Sequence, residues 1–335
     1  MLEIVAEIGI NHDGSVDEAI SLINLARDSG ASTVKFQLYN VEDLLAQEVP
    51  AADYQIKGMG GQAGITQNEF LLKCQLNEAF LNTLIKHCES VGVGFLCTGY
   101  NLADFETLSR LGNCRVKLPS IAIKEPWTII QAFSLFDHVV LSTGFSTLMD
   151  IIHLSKLLLE RDIDHSRMTI CHCVSQYPAD LDDYNLIRLN FLRSKFPRAR
   201  LGLSDHSRSN LPVNMAVALG AEFIEKHLTI DSRRLGADHH MSLNGNEFKN
   251  MSEEARKAQK IVGQSLRFGP TSEELNNLQV MGRSPYFLVA RECASGTVHP
   301  KEITMRRPYK EQDNWEIFWD DVRVNRSPVA AGEEV

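Results

Sequence analysis

Short apolar segments rich in β-branched residues alternate with amphipathic helical segments along most of the chain. Eight segments have the length and composition of strands: 3–10, 32–38, 92–98, 114–120, 138–144, 168–174, 200–206 and 221–227. Helical periodicity follows each of them, at 16–29, 78–91, 102–111, 127–136, 148–159, 184–196, 211–219 and 247–262. Because no Gly-x-Gly-x-x-Gly pattern follows the first strand, a doubly wound dinucleotide-binding sheet is disfavoured. The alternation predicts a (β/α)8 TIM barrel.

The first helical segment shows the local signals on which such an assignment rests. Ser15 precedes it and Glu18 lies three residues later, which predicts a capping box. Gly30 follows the last helical residue, where a left-handed conformation ends a helix at low cost.

Two stretches depart from the repeat. Residues 39–68 are polar and Gly-rich without periodicity, and we interpret them as a flexible active-site loop. Beyond the last helix the pattern is lost, which predicts a barrel domain at 1–263 and a linker at 264–282. Short strand-like segments with turns then predict a small β-rich domain at 283–335.

Charge and cysteine usage restrict the partners and the compartment. A net charge of −9 argues against nucleic acid or an anionic membrane surface as a partner. The start of the chain has no basic leader and no apolar run reaches membrane-spanning length, which predicts a cytoplasmic protein. The seven cysteines are scattered through apolar runs, as expected for buried thiols in a reducing compartment.

The stretch 201–242 carries the clearest chemical signal. His206 and His227 end two neighbouring strands, where their imidazoles can share one metal ion. Glu225 shares a strand face with His227, and Asp238 follows in a loop, so carboxylates are available for acid–base chemistry. A lone histidine more often satisfies a local hydrogen bond, but two at equivalent strand ends favour a metal site.

Further reactive side chains fall at or just after predicted strand ends, which form the catalytic face of a barrel. They are Glu7, Lys35, Gln37, Thr98, Lys117, Ser120, Ser142, Tyr177 and Ser204. Two lysines among hydroxyl groups suit a compact anion that carries phosphate or carboxylate. Each of these lysines taken alone is equally consistent with a solvated surface charge, and each serine with turn formation. Only their joint position at the strand ends predicts an anion site beside the metal.

Seven ordered motifs resemble the N-acetylneuraminate (sialic acid) synthase family. They are AEIGINHDG at 6–14, VKFQ at 34–37, STG at 142–144, CVSQYPA at 173–179, GLSDH at 202–206, GAEFIEKH at 220–227 and GADHHMS at 236–242. The resemblance implies a (β/α)8 barrel followed by a small antifreeze-like (SAF) domain. It also implies a domain-swapped homodimer that condenses phosphoenolpyruvate with an N-acylated amino-sugar aldehyde, such as N-acetylmannosamine, to a nine-carbon 2-keto acid and phosphate.

The resemblance also implies roles for individual residues. His206 and His227 match the ligands of a divalent ion, typically Mn²⁺, although Mg²⁺ or Co²⁺ would also suit them. Lys35, Gln37, Thr98, Lys117, Ser120, Ser142 and Ser204 match phosphoenolpyruvate-binding positions. Glu7, Tyr177, Glu225 and Asp238 match sugar-side or acid–base positions, and Arg307 matches an arginine that reaches the partner's site near the acylamino group. We interpret Glu225 as the proton-handling group because it shares a strand face with His227.

The chain departs from the family pattern at Ala122, where an acidic residue is usual, at Gly99 and Tyr100, and just after Arg307. These differences bear on the acceptor, so several interpretations stay open. The acceptor can belong to a legionaminic or pseudaminic acid pathway, or it can be a phosphorylated sugar. The same residues are also consistent with a metal-dependent aldolase or lyase, and with a catalytically impaired barrel that binds ligand as a sensor.

Overall fold

The structure is a computed structural model, which describes residues 2–62, 64–263 and 269–287 together with the short strands at 296–298, 303–306, 316–317 and 322–324. The chain divides into two compact units, Met1–Gln264 and Ser265–Val335.

Eight parallel strands form a closed barrel in the first unit, in the order in which they occur along the chain. They are β1 (Glu3–Gly9), β2 (Thr33–Gln37), β3 (Gly94–Thr98), β4 (Arg115–Leu118), β5 (His138–Ser142), β6 (Met168–Cys173), β7 (Arg200–Asp205) and β8 (Phe223–His227). Strand β8 pairs with β1 in the register Glu225 to Val5 and His227 to Glu7, which closes the sheet. The predicted TIM barrel is confirmed.

Helices follow the strands along the chain, and all except the first three after β2 pack around the barrel. They are α1 (Val16–Asp28), α2 (Val41–Leu44), α3 (Asp53–Gly58), α4 (Gln67–Cys74), α5 (Glu78–Val91), α6 (Leu102–Arg110), α7 (Pro126–Leu135), α8 (Leu148–Glu160), α9 (Arg188–Lys195), α10 (Leu211–Ala218) and α11 (Gly245–Val262). Ser15 caps α1 by accepting from the Glu18 amide at 3.3 Å. The predicted capping box does not form, because the Glu18 side chain pairs with Arg234 at 3.2 Å and the Ser15 amide donates to the His12 carbonyl at 2.8 Å.

An apolar layer fills the middle of the barrel interior. It consists of Val5, Leu96, Val140, Cys171 and Phe223, all buried. Side chains two residues apart on a strand share a face, so the next inward positions lie directly above this layer. Those positions hold Glu7, Thr98, Ser142, Cys173 and Glu225. The apolar layer therefore separates these polar groups from a second polar cluster at the N-terminal strand ends, where Glu3 pairs with Arg115 and Arg200.

The excursion at 39–68, which its composition predicted to be a flexible active-site loop, contains short helices. Helices α2 and α3 lie within it and α4 begins in it, and Ala51, Ile65 and Phe70 pack with Ile10 and Ala237 in a small core of their own. The prediction missed these helices because they are too short to show the helical periodicity on which it depended.

The second unit begins with α12 (Ser272–Met281), which lies inside the segment predicted as a linker. Two antiparallel sheets follow: β9 (Ser284–Phe287) pairs with β11 (Ile303–Arg306), and β13 (Val322–Val324) pairs with β10 (Gly296–Val298) and β12 (Glu316–Ile317). These strands agree with the predicted β-rich character, and the domain boundaries at 263 and 282 stay predictions. In the part of the chain that is described, no helix is both long and apolar enough to cross a membrane.

Candidate active site

One cavity of about 350 Å³ opens at the C-terminal ends of the barrel strands. Thirteen of the residues singled out from the sequence line it: Glu7, Lys35, Gln37, Thr98, Lys117, Ser120, Ser142, Tyr177, Ser204, His206, Glu225, His227 and Asp238. They meet because parallel strands of a barrel end at the same face. Arg307 lies outside the described residues.

Two buried lysine–glutamate pairs form the floor of the cavity. Lys35 Nζ lies 2.8 Å from Glu7 Oε2, and Lys117 Nζ lies 2.6 Å from Glu225 Oε1. Lys35 Nζ is also 3.9 Å from Glu225 Oε1, which joins the pairs into one network. Lysines this deeply buried need such partners, because an unpaired buried ammonium is strongly destabilising.

The two glutamates are not equivalent. Burial raises the pKa of the Glu7 carboxyl. Attraction to Lys35 opposes this shift, and repulsion from Glu225 adds to it. Burial also opposes charge on Glu225, but Lys117 and Lys35 outweigh it and lower the pKa of Glu225 to about 2. Two carboxyl groups with pKa values moved in opposite directions are typical of sites that separate acid and base roles.

Hydroxyl groups surround the lysines. Thr98 Oγ1 accepts from Lys35 Nζ at 2.9 Å, and Ser204 Oγ donates to Glu225 at 2.8 Å. Within the described residues, the Ser142 and Ser175 hydroxyls are buried without a hydrogen-bond partner. Unpartnered buried hydroxyls beside two lysines are the donors that an oxyanion would satisfy.

Residue 144 must be a glycine because it lies between the hydroxyls of Ser175 and Ser120. A Cβ atom at this position would come within 2.0 Å of Ser175 Oγ and 2.7 Å of Ser120 Oγ. The Gly144 amide donates to Ser120 Oγ at 3.1 Å. A side chain here would therefore fill the space between the two serines.

His206 and His227 face one another, with ring centroids 5.5 Å apart. The carbonyl of Val174 lies 2.8 Å from His206 Nδ1, so this nitrogen donates, and in the neutral ring Nε2 carries the lone pair. Burial opposes charge on His206, but Cys173 and the hydrogen bond to Val174 outweigh it and raise the pKa of the ring. Burial, together with His206 and Lys35, lowers the pKa of His227 well below its usual value, which keeps the ring neutral as a metal ligand must be.

These observations fit a divalent ion with two protein ligands and open positions. Nδ1 of His227 has no hydrogen-bond partner within the described part of the chain, and it lies 3.8 Å from Asp238 Oδ2. No group of three or more His, Cys, Asp or Glu side chains in the described residues is placed to hold a metal. A closed structural site is therefore not formed among them.

Tyr177 and Asp238 line the same cavity from loops that follow β6 and β8. The Tyr177 ring packs on His206 with centroids 4.2 Å apart. Burial raises the pKa of Asp238 to about 6, Glu7 adds to the effect, and His206 opposes it.

Ala122 is almost fully buried in the hydrophobic core and does not line the cavity. Glu125 is also absent from the lining, and its carboxylate accepts from Thr128 at 3.0 Å at the start of α7. Among the described residues, neither position contributes a carboxylate to the site.

Sequence reasoning missed several lining residues, among them Ser175, Tyr100 and Tyr54. Ser175 lies in the CVSQYPA motif two positions before Tyr177, a spacing that places it near the same strand end. Tyr100 was noted only as a departure from the family, yet its hydroxyl donates to Gln37 Oε1 at 3.1 Å. Tyr54 lies on α3 in the excursion, where no pattern in the sequence pointed to it.

A (β/α)8 barrel whose C-terminal face holds buried lysines, hydroxyls, carboxylates and paired imidazoles is an enzyme barrel that handles an anion. Comparison with known proteins specifies it further. A model described as the NeuB family matches residues 22–267. The N,N′-diacetyllegionaminic acid synthase of Campylobacter jejuni is 31% identical over 306 residues, which cover 91% of this chain and 90% of that protein.

Solved structures are similar to this chain in fold. The sialic acid synthetase of Leptospira borgpetersenii, in complex with citrate, has a TM-score of 0.71 at 26% identity and covers 83% of this chain and 90% of that one. A putative spore coat polysaccharide biosynthesis protein E from Chromobacterium violaceum has a TM-score of 0.80 at 22% identity over 100% of this chain and 98% of its own, a similarity of fold.

The chain belongs to the NeuB family. The predicted enzyme class, a phosphoenolpyruvate-dependent synthase that forms a C–C bond, is confirmed. Its general activity is the condensation that yields nonulosonic acids.

Proposed function

We propose that this enzyme condenses phosphoenolpyruvate with an uncharged N-acylated amino-sugar aldehyde, giving a nine-carbon 2-keto sugar acid and phosphate. The observation that carries the proposal is that one cavity combines two buried lysines and unpartnered serine hydroxyls with Tyr177, Asp238 and His206. The lysines and serines suit a small dianion, and the aromatic ring, carboxylate and imidazole suit a polyhydroxylated sugar.

Phosphoenolpyruvate is proposed to bind over the lysine–glutamate floor. Lys35 and Lys117 supply charge, and Gln37, Thr98, Ser120, Ser142 and Ser204 supply donors, as the family resemblance implies. Ser175 joins them because its buried hydroxyl lacks a partner within the described chain. The bound anion competes with Glu7 and Glu225 for the lysines.

Binding of the anion is proposed to raise the proton affinity of Glu225. In the free protein the two lysines hold the pKa of Glu225 at about 2, so it is a weak base. An anion beside Lys117 and Lys35 offsets their charge, which raises the proton affinity of Glu225. Its Oε2 atom has no hydrogen-bond partner in the described residues and is proposed to orient the water that adds to C2.

The reaction balances with one water. C3 of phosphoenolpyruvate forms a bond to the aldehyde carbon, and the aldehyde oxygen gains a proton. Water adds at C2 and gives one proton to Glu225, which replaces the proton given to the aldehyde oxygen. Cleavage of the C2–O bond to the phosphate group then forms the C2 carbonyl, and the proton of the C2 hydroxyl leaves with the phosphate. Glu7 and Asp238, whose pKa values are raised, are proposed to supply the proton to the developing alkoxide.

A divalent ion, proposed to be Mn²⁺ but replaceable by Mg²⁺ or Co²⁺, would be held by His206 and His227. It would supply Lewis-acid polarisation of the aldehyde. The protein's part is to keep His227 neutral, which burial and the neighbouring cations do, and to orient His206, which the Val174 carbonyl does.

An acceptor with two acylamino groups is a second candidate. The observation that favours it is the 31% identity to a protein named N,N′-diacetyllegionaminic acid synthase. A pseudaminic acid synthase of the same genus is 27% identical over 299 residues. We propose that the acceptor belongs to this group of uncharged N-acylated sugars and not to phosphorylated ones.

We propose a homodimer and a cytoplasmic location. Large apolar side chains are exposed where the chain leaves β4 and β5: Ile121, Trp127, Phe145, Leu148 and Met149, each at least 47% exposed. Such a patch is typical of a protein–protein interface. Six free cysteines among the described residues, five of them buried, fit a reducing compartment.

The test is phosphate release from phosphoenolpyruvate with Mn²⁺ across a panel of aldehyde sugars that includes N-acetylmannosamine, mono- and diacetylated hexoses and a 6-phosphorylated sugar. Sugar-dependent release that is lost with chelator and in His206→Ala supports the proposal. Release with the phosphorylated sugar alone would overturn the acceptor class, and normal turnover of Glu225→Gln would remove Glu225 from its role.

A further inference from the structure

Tyr54 and Tyr177 form a stacked pair in the lining of the cavity. Their ring centroids are 4.8 Å apart and their planes differ by 24°. Tyr177 in turn packs on His206 at 4.2 Å. The three rings therefore form a continuous aromatic wall, of which only Tyr177 and His206 belong to the barrel motifs.

Helix α3 carries Tyr54 and is fixed directly to the loop that carries Asp238. The Gly236 amide donates to the Gly58 carbonyl at 3.1 Å. A Cβ atom at Gly58 would come within 2.5 Å of the Gly236 carbonyl oxygen and 2.9 Å of the Ala237 carbonyl oxygen. Tyr54 and Asp238 are thus positioned by one contact between two backbones.

The Tyr54 ring is not what anchors α3. The small core of the excursion consists of Ala51, Ile65, Phe70 and their neighbours, and Tyr54 is outside it. Tyr54 instead lines the cavity. A large ring that faces a cavity without serving the local core is available to a ligand.

The chemistry of the wall suits an uncharged ligand face. Among the lining residues that are described, the lysines are Lys35 and Lys117, and both are paired with glutamates on the floor. Burial raises the pKa of the Tyr54 hydroxyl, with Asp238 adding to the effect, so the hydroxyl stays neutral and can donate a hydrogen bond. Aromatic faces beside a hydroxyl and a carboxylate fit the C–H face and hydroxyls of a sugar.

We propose that Tyr54 is a specificity-determining residue that binds the uncharged amino-sugar acceptor, with Tyr177, as one stacked wall held in place through Gly58. The proposal rests on the acceptor class proposed above. It adds that α3, outside the barrel motifs, selects the sugar, while phosphoenolpyruvate binds without it.

The experiment uses the full-length enzyme with Mn²⁺ and the best acceptor of the sugar panel. kcat and KM are measured for each substrate with the other saturating, in wild type, Tyr54→Leu, Tyr54→Phe, Gly58→Ala and the control Leu72→Ala. Leu72 is exposed on α4, which begins in the same excursion, and it is outside the cavity lining. Binding of phosphoenolpyruvate and of the acceptor is also measured by calorimetry.

Tyr54→Leu is expected to raise the acceptor KM about three- to ten-fold, the range of one aromatic stacking contact, and to change the phosphoenolpyruvate KM less than two-fold. Tyr54→Phe, which keeps the ring, is expected to recover most of the loss. Gly58→Ala is expected to weaken acceptor binding at least as much as Tyr54→Leu, and Leu72→Ala to match wild type.

Equal changes in both KM values, or none in Tyr54→Leu, would overturn the inference while wild-type turnover left the proposed function intact. A wild-type enzyme that neither binds nor turns over any sugar of the panel would overturn both. The two failures are therefore distinguishable by the wild-type measurement.

Discussion

Two groups of cavity residues are built in different ways. The first, called the strand side and proposed above to bind phosphoenolpyruvate, consists of inward positions on barrel strands, such as Lys35, Lys117 and Glu225, joined by buried ion pairs. The second, called the loop side and proposed to bind the acceptor, consists of residues on loops and short helices, including Tyr54, Tyr177 and Asp238. The strand side is fixed by the barrel that all strands share, whereas the loop side depends on local contacts. Substrate choice can therefore change on one side without disturbing the other.

The largest effect is expected when a charged side chain of the strand side is replaced by an uncharged one. Lys117→Met leaves Glu225 buried beside a single lysine, and we expect the free energy of unfolding to fall by about 3–5 kcal/mol, with loss of phosphoenolpyruvate binding. Urea denaturation and calorimetry measure the two effects. Lys124→Met, at an exposed lysine six residues from β4, is the control and is expected to change neither.

A charge removed from the loop side should behave differently. We expect Asp238→Asn to raise the acceptor KM about 10- to 100-fold, because a hydrogen bond to a charged group is lost, and to leave the phosphoenolpyruvate KM within about two-fold. Steady-state kinetics with each substrate varied in turn gives both values. A parallel rise in the two constants would mean that the sides are not independent.

Acidification is expected to lower the free energy of unfolding of the barrel that carries both sides. Burial lowers the pKa of His172 from its usual 6.5 to about 4, so below pH 6.5 the unfolded chain binds a proton that the folded chain refuses. The stability from neutral His172 is complete above pH 6.5 and is lost as the pH falls towards 4.

We expect His172→Gln to lose about 2 kcal/mol less of its unfolding free energy than wild type between pH 7.5 and 5.0. Urea titrations at the two pH values provide the comparison. Equal losses in the two proteins would show that His172 titrates normally in the folded state.

The smallest expected effect concerns the residue that joins the sides. The Tyr100 hydroxyl donates to Gln37 Oε1, and Gln37 Nε2 donates to Glu7 Oε1 at 2.7 Å. Tyr100→Phe releases one neutral hydrogen bond and is expected to lower kcat/KM about two- to ten-fold for both substrates. An effect confined to the acceptor would place Tyr100 wholly on the loop side.

The eight strands could be predicted because each buried strand is apolar, β-branched and bounded by turn residues, and thirteen lining residues followed from the rule that parallel strands end together. The excursion could not, because α2 and α3 are too short for a periodicity to emerge. Ser175 and Tyr100 were visible in the sequence, but nothing in a linear pattern indicates which way a side chain after a strand will point.

The sequence by itself determined the barrel, the family and the inventory of lysines, histidines and carboxylates, because these follow from local periodicity and from motifs of adjacent residues. The tertiary structure alone decided which groups pair. It placed Lys117 against Glu225, 108 residues apart, and lowered the pKa of that carboxyl to about 2. It also brought Tyr54 onto Tyr177 and Gly58 against Gly236. Such contacts arise from packing across the fold, where distance in space and loss of solvent, not position in the chain, set the energy of each group.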